Sequence, residues 1–219
     1  MVLEDLLVGG YKIYQDDDLY KFTSDAIKLS EFAEVRRGDV VADFCSGSGI
    51  VGLDLFAKKE GIDSVYLFEM QKPLYEMSKK TIEVNGLEGK FFAYNLKVQD
   101  VGSEFNGKFS LVVVNPPYFP EGGGEEKQNE HLAICRSEKY LTLNDLFYSA
   151  NRALKYGGRI CLIHLASRLA DVFSEMRKNG IEPKKIRAVA PSGGEIKLVL
   201  IEGVKGGKTG LKIMPELKC

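Results

Sequence analysis

The chain has 219 residues, a formal net charge of −1 and an apolar fraction of 44%. That length holds one large domain, or one domain with small additions, of ordinary soluble composition. No apolar run approaches the ~18–20 residues of a membrane span, and the start, MVLEDLLVGGYK, lacks the basic head and long apolar core of a secretory leader.

The four cysteines, Cys45, Cys135, Cys161 and Cys219, show no CxxC spacing, and the only histidines are His131 and His164. Free thiols, a cytoplasmic location and no metal site are expected. Charge is unevenly spread: residues 1–150 carry 16 Lys/Arg against 25 Asp/Glu, and residues 151–219 carry 14 against 6. A basic C-terminal third can form a phosphate-binding face, or can be a solvated surface whose charges intermix on folding.

Residues 11–22 alternate around Asp16-Asp17-Asp18, which predicts a small hairpin. Thr23 or Ser24 then caps a helix with apolar residues from Ala26 to Val35, ending near Arg36-Arg37-Gly38. Val40 to Phe44 reads as a buried strand, Ser46-Gly47-Ser48-Gly49 as a turn and Ile50 to Lys59 as a helix. Strand, glycine turn and helix N-terminus together bring backbone N–H groups close to a ligand. Cys45 stands where a first glycine often sits in such a turn. Asp63 to Met70 is a second strand, and Glu69 near its end could accept bonds from the two hydroxyls of a ribose, or be an ordinary strand-end glutamate.

Gln71 to Asn85 is a helix stopped by Gly86, and Phe91 to Tyr94 is a third strand followed by Asn95 and, further on, Asp100. Lys108 to Val114 is a fourth, wholly apolar in its second half, and it runs into Asn115-Pro116-Pro117-Tyr118-Phe119. Two prolines cannot donate to a sheet ladder, and the residue before a proline is pushed towards extended backbone. The strand therefore leaves the sheet stiffly, holding an amide oxygen, a proline carbonyl and an aromatic ring in fixed places. That grouping suits a planar –NH2, whose lone pair is delocalised. The Asn115 oxygen and the Pro116 carbonyl would accept its protons and stabilise the positive charge that grows as nitrogen attacks a methyl donor. Tyr118 could stack on a base. Without a ligand, the same residues make a strand end, a turn and a packed tyrosine.

Pro120 to Glu138 holds Gly122-Gly123-Gly124 and five acidic residues with no periodicity, and reads as a flap beside the site; Arg136 could grip a phosphate or pair with a local acid. Thr142-Leu143-Asn144-Asp145 resembles a capping box for a helix to about Tyr156. A fifth strand follows over Arg159–His164, then a helix over Ser167–Lys178, then strands over Lys185–Ala190 and Ile196–Glu202 and a glycine-rich basic tail. Strand–helix alternation predicts an α/β fold: a mostly parallel, seven-stranded sheet with helices on both faces and an antiparallel edge strand. A single domain is expected, with an extension over 1–38, a core over 39–203 and a tail over 204–219.

A strand–Gly-turn–helix, an acid after strand two and NPPY after strand four resembles the motif order of class I methyltransferases that use S-adenosylmethionine. The blocks GYKIYQDDDLYKFTSDAIKLSEFAEV, ICRSEKYLTLNDLF, GGRICLIHLASRLADVF and KKIRAVAPSGGEIKLVLIEGVKGGKTGLK narrow this. They are similar to the tRNA1(Val) N6-adenine methyltransferase family, which modifies the adenosine 3′ of a valine anticodon. The resemblance implies a Rossmann-like fold, S-adenosylmethionine as cofactor and tRNA as partner, with no metal and no membrane, in a cytoplasmic monomer.

It also implies roles. Asp43, Cys45, Gly47 and Gly49 would line the donor's methionine moiety, with Ser24 and Asp25 beside it. Glu69 and Met70 would hold the ribose side. Asn95 stands where the family has an aspartate and would bond the donor's adenine through its amide oxygen, with Asp100 as substitute. Asn115, Pro116, Pro117 and Tyr118 would be the catalytic motif, with Phe119 as a second wall and Arg136 on substrate. No histidine is expected near NPPY, since the proton can leave after transfer. The basic stretch 184–212 is a further phosphate-binding candidate. NPPY alone is shared with glutamine N5-methyltransferases and with DNA and ribosomal RNA methyltransferases, and a non-catalytic RNA-binding module is the remaining alternative. The glutamine enzymes carry a helical domain ahead of the first core strand, for which about 39 residues leave little room.

Overall fold

The structure is a computed structural model that describes residues 1–6, 8–16, 19, 24–118, 140–190 and 194–218. In chain order the elements are β1 (Val2–Asp5), β2 (Lys12–Gln15), α1 (Ser24–Phe32), β3 (Asp39–Phe44), α2 (Ile50–Lys58) and β4 (Ile62–Phe68). There follow α3 (Lys72–Val84), β5 (Phe91–Tyr94), β6 (Phe109–Val114), α4 (Leu143–Ala153), β7 (Leu154–Leu165) and α5 (Leu169–Lys178). The chain closes with β8 (Ile181–Ala190), β9 (Leu198–Lys205), β10 (Lys212–Ile213) and β11 (Leu217–Lys218).

Among the described residues the main sheet runs β10-β8-β9-β7-β6-β3-β4-β5, with β11 also on β8. Strands β3 to β7 are mutually parallel, as the alternation predicts. β9 is antiparallel to both neighbours, β7 and β8, so the antiparallel strand is not at the edge: β8 lies outside it, and the short β10 and β11 lie outside β8. The tail is not a free basic appendage: it supplies β10 and β11, which pair in parallel with β8.

Three boundaries differ from the sequence expectation, each through a distant residue. A hairpin forms upstream of the expected one, β1 against β2, turning through Gly9 and Gly10 at φ 76 and 70, while most of the turn and second arm expected over residues 16–22 lies outside the described residues. Its outer edge is clipped to α3, where the Asn85 side chain accepts from Lys12 N at 2.7 Å and donates to Lys12 O at 2.7 Å. Helix α1 stops at Phe32, short of Arg36, because Lys59 Nζ donates to the carbonyls of Ser30, Glu31 and Ala33. Helix α4 stops at Ala153 in the same way, with Lys205 Nζ on the carbonyls of Asn151 and Leu154. Its start behaves as expected: Thr142 Oγ1 accepts from Asp145 N at 3.1 Å.

Apolar residues of α1 and α2, with Ile82 of α3, cover one face of the sheet against Val41, Leu111, Val113, Cys161, Ile163 and Leu200. Those of α4 and α5 cover the other against Ala42, Val112, Val114, Ile160, Leu162 and Ile201. β6 is buried along its whole length because helices stand on both sides. Below it lies a buried ion pair. Arg159, 1% exposed, reaches Asp39 Oδ2 at 2.6 Å, and Ser110 donates to Asp39 Oδ1 at 2.6 Å. Replacing Asp39 by alanine strands the guanidinium, so Asp39→Ala is expected to lower unfolding free energy by about 3–5 kcal/mol in urea melts.

Candidate functional site

The register of four parallel strands builds the site. Phe44 pairs with Val114 and with Phe68, and Phe68 pairs with Tyr94. β6, β3, β4 and β5 therefore end level, and the residues that follow them, Asn115, Cys45, Glu69 and Asn95, are delivered to one edge. This is the carboxyl end of the sheet, where open α/β folds bind ligands.

The turn after β3 is left-handed at three positions: Cys45 at φ 57, Gly47 at φ 56 and Gly49 at φ 88. Cys45 thus adopts the backbone a glycine would, at a cost of roughly 1–2 kcal/mol for an L-residue. Among the described residues nothing lies within 4 Å of where a Gly47 Cβ would sit, which leaves room for a ligand against the turn. At Gly49 and Gly52 a Cβ would press on Leu67 and Val65 at 3.0 and 2.9 Å, so these glycines let α2 close down on β4.

Asp43, 1% exposed, accepts from Gly52 N at 2.9 Å through Oδ2, while its buried Oδ1 has no partner among the described residues. Burial pushes the carboxyl up to about 7; the Gly52 bond opposes this and the charge of Glu69 adds to it. A cationic group such as a ligand ammonium would satisfy both the orphan oxygen and the unpaired charge. Glu69, 5% exposed, accepts from Gly47 N and Gln71 N, each at 2.8 Å, and burial is the largest cause holding its pKa above the ordinary range. A backbone bond from Met70 falls on the carboxylate as well, and of its roughly four acceptor sites one is left for a hydroxyl donor. The Asn95 –NH2 donates to the carbonyls of Glu69 and Met70 at 2.9 and 3.0 Å. Its donor end is thereby spent on the loop, and its oxygen is the end left for a ligand. Asp100 stands further on, in a short 3-10 turn.

On the other side of the turn, Pro116 and Pro117 are buried and Asn115 half-buried. The Tyr118 hydroxyl donates to Asn115 Oδ1, and its ring meets His164 edge-on, with centroids 5.5 Å apart. The expectation of no histidine near NPPY is therefore overturned. His164 lies at the end of β7, two residues past the Val114–Leu162 pair, and the 46 positions from Tyr118 to His164 (164 − 118) hide that adjacency. Burial, helped by the charge of Arg168, lowers its pKa to about 4, so the ring is neutral at physiological pH. It is a wall for Tyr118 and, with that pKa, a weak base.

Ser24 and Asp25 open α1. Ser30 bonds Asp54 and Lys58 reaches Glu31 at 3.1 Å, so α1 and α2 run in the same sense and Ser24 and Asp25 lie towards the end at which the glycine turn opens. Phe119, Arg136 and the 120–138 segment lie outside the described residues. Within the basic stretch, Lys185 is spent on Glu34 and Glu202 at 2.8 and 3.2 Å, and Lys205 on α4 carbonyls. Among the described residues no group of three or more His, Cys, Asp and Glu is placed to hold a metal, and no helix is long and apolar enough to cross a membrane.

Residues 24–179 match the model of the methyltransferase small domain family. The chain is 24% identical over 183 residues to a tRNA1(Val) (adenine(37)-N6)-methyltransferase of Actinobacillus pleuropneumoniae serotype 7, covering 84% of this chain and 75% of that one. Three further relatives of that name, from Haemophilus influenzae and Actinobacillus pleuropneumoniae, are matched over 62–65% of their own length. Among solved structures, a protein from Agrobacterium tumefaciens described as a predicted O-methyltransferase has a TM-score of 0.70 at 19% identity, over 89% of this chain and 86% of that one. A geranyl diphosphate methyltransferase in complex with SAM has a TM-score of 0.60 at 14% identity, over 83% and 84%. Both share the fold.

Proposed function

The chain belongs to the methyltransferase small domain family, and on that premise we propose that it transfers a methyl group from S-adenosylmethionine to N6 of an adenine in tRNA, next to the anticodon of a valine tRNA. The observation that carries this is the level ending of β3 and β6, which sets Asn115 one strand spacing, about 4.8 Å, from the donor turn.

S-adenosylmethionine supplies an electrophilic sulfonium methyl. Asp43 and the Gly47–Gly49 turn hold its amino-acid end. Glu69 takes a ribose hydroxyl, Met70 lies beside it, and the Asn95 oxygen takes the adenine amino group. Ser24 and Asp25 flank the donor from α1. On the acceptor side, the flipped adenine displaces the Tyr118 hydroxyl from Asn115 Oδ1. Asn115 Oδ1 and the Pro116 carbonyl then accept the two N6 protons, which localises the nitrogen lone pair. Tyr118 forms a wall against the base. In-line placement at the methyl lowers the barrier by up to roughly 7–11 kcal/mol in favourable cases. The N–CH3 bond forms as the C–S bond to sulfur breaks and S-adenosylhomocysteine departs; the two original N–H groups of the now cationic nitrogen are strongly acidic, so one proton passes to solvent and no side-chain base is required.

The test is label transfer. The protein is incubated with methyl-labelled S-adenosylmethionine and, in parallel, with unmodified total tRNA, ribosomal RNA and a release-factor preparation. N6-methyladenosine confined to a valine tRNA is the expected result. Label in protein would overturn the RNA reading in favour of glutamine amide chemistry.

A further inference from the structure

The sheet carries one more functional group into line with Asn115. Continuing the β6–β7 register one step past Val114–Leu162 sets Asn115 beside Ile163. Ile163 pairs with Leu200 of β9, and Leu200 pairs with Arg187 of β8. Alternation places all four on one face: Leu111 and Val113 precede Asn115 there, Ile163 and Leu200 belong to the same core, and Val189, two residues after Arg187, does too. Asp43 is on this face as well, since it pairs with Val113. Arg187 thus stands in the same row as the acceptor asparagine, three strand spacings away, or about 14 Å.

Its bonding is incomplete. The Arg187 Nε is buried and has no partner among the described residues, although the residue as a whole is only half-buried. The neighbouring Lys185, on the same face of the same strand, is held between two glutamates. Nε itself is closed off, but the guanidinium has no hydrogen-bond or ion-pair partner among the described residues, and its two terminal –NH2 groups can donate in parallel to one oxyanion.

We propose that Arg187 holds a backbone phosphate of the RNA, a few nucleotides from the flipped adenine, and so sets which adenine enters the site. This rests on the tRNA reading above. The charge is fixed, the geometry is bidentate, and the sheet holds it rigidly relative to Asn115.

Arg187→Gln and Arg187→Lys are compared with the wild type for tRNA binding between low and physiological salt, for donor binding and for methyl transfer. Arg187→Gln is expected to weaken tRNA about tenfold and to reduce the log–log salt slope by about one, with donor affinity and melting temperature kept. Arg187→Lys restores the slope, because the charge remains, but recovers only part of the affinity, because the paired donors do not. Wild-type affinity and slope in Arg187→Gln would overturn the proposal. Should that variant fold poorly, Arg187→Lys decides: affinity equal to wild type would overturn it too. A wild type that neither binds nor methylates tRNA refutes the substrate reading itself, and that is seen before any variant is compared.

Discussion

Asn115→Ala lowers the turnover of methyl transfer by about 10²–10³-fold, the usual cost of removing one preorganised group from a developing charge. Donor affinity stays within a few-fold of wild type. The split follows from where the residue sits. Its backbone is fixed by the end of a fully buried strand and two buried prolines, so truncating the side chain leaves the frame in place. The donor turn, Glu69 and Asn95 belong to other strands and keep their mutual bonds. What is lost is the oxygen now held by Tyr118 and, in the reaction, by the adenine amino group. Single-turnover kinetics with saturating donor, beside a direct donor titration, separate the two effects. Near-normal turnover in this variant would sink the assignment of the motif.

The second large effect is at Asp43, where stability and donor binding are expected to move in opposite directions. Its carboxyl titrates near 7 in the folded chain against 3.8 ordinarily. Below 3.8 both states hold the proton. Between 3.8 and about 7 the unfolded chain has released it and the folded chain has not, so rising pH favours unfolding at about 1.4 kcal/mol per unit through that window. Asp43→Asn removes this term. Relative to wild type, the variant becomes progressively more stable as pH rises from 4 to 7, less a fixed cost of about 1–3 kcal/mol for its extra buried –NH2. The same change removes the carboxylate that would meet the donor's ammonium, and S-adenosylmethionine binding falls about 10–100-fold, the worth of a charge-assisted bond. Melting temperatures of both proteins at pH 5 and pH 8, with donor titrations at each, test the pair of claims. A stability difference that does not change with pH would refute the account of Asp43.

Much of this was readable in the residues, and the misses share a cause. The strands and helices of the core follow local period and turn chemistry, and Asp43, Glu69, Asn95 and Asn115 all sit at strand ends marked by glycine, proline or a polar residue after an apolar run. Their gathering at one edge needs only a parallel sheet. What stayed hidden depends on lateral neighbours. Lys59 and Lys205 end helices they do not belong to. His164 reaches Tyr118 only through the β6–β7 pairing. The upstream hairpin carried one local mark, the consecutive Gly9 and Gly10, a stronger turn signal than three aspartates. Arg187 was marked only as one of several cations in the basic stretch 184–212, since its row is set by the insertion of β9.

That insertion also bears on the order in which the molecule is assembled. β9 follows β8 in the chain but lies between it and β7. When β8 emerges from synthesis its only long partner has not yet been made, and the edge of β7 that β9 will cover stands open. Residues 198–205 close both edges in one step, at high contact order and late. Until they do, the nascent chain presents two bare strands to its surroundings, and the row from Asn115 to Arg187 does not exist. The donor turn and the NPPY motif can form before that point; the geometry relating them to Arg187 is made only when the last long strand is driven home.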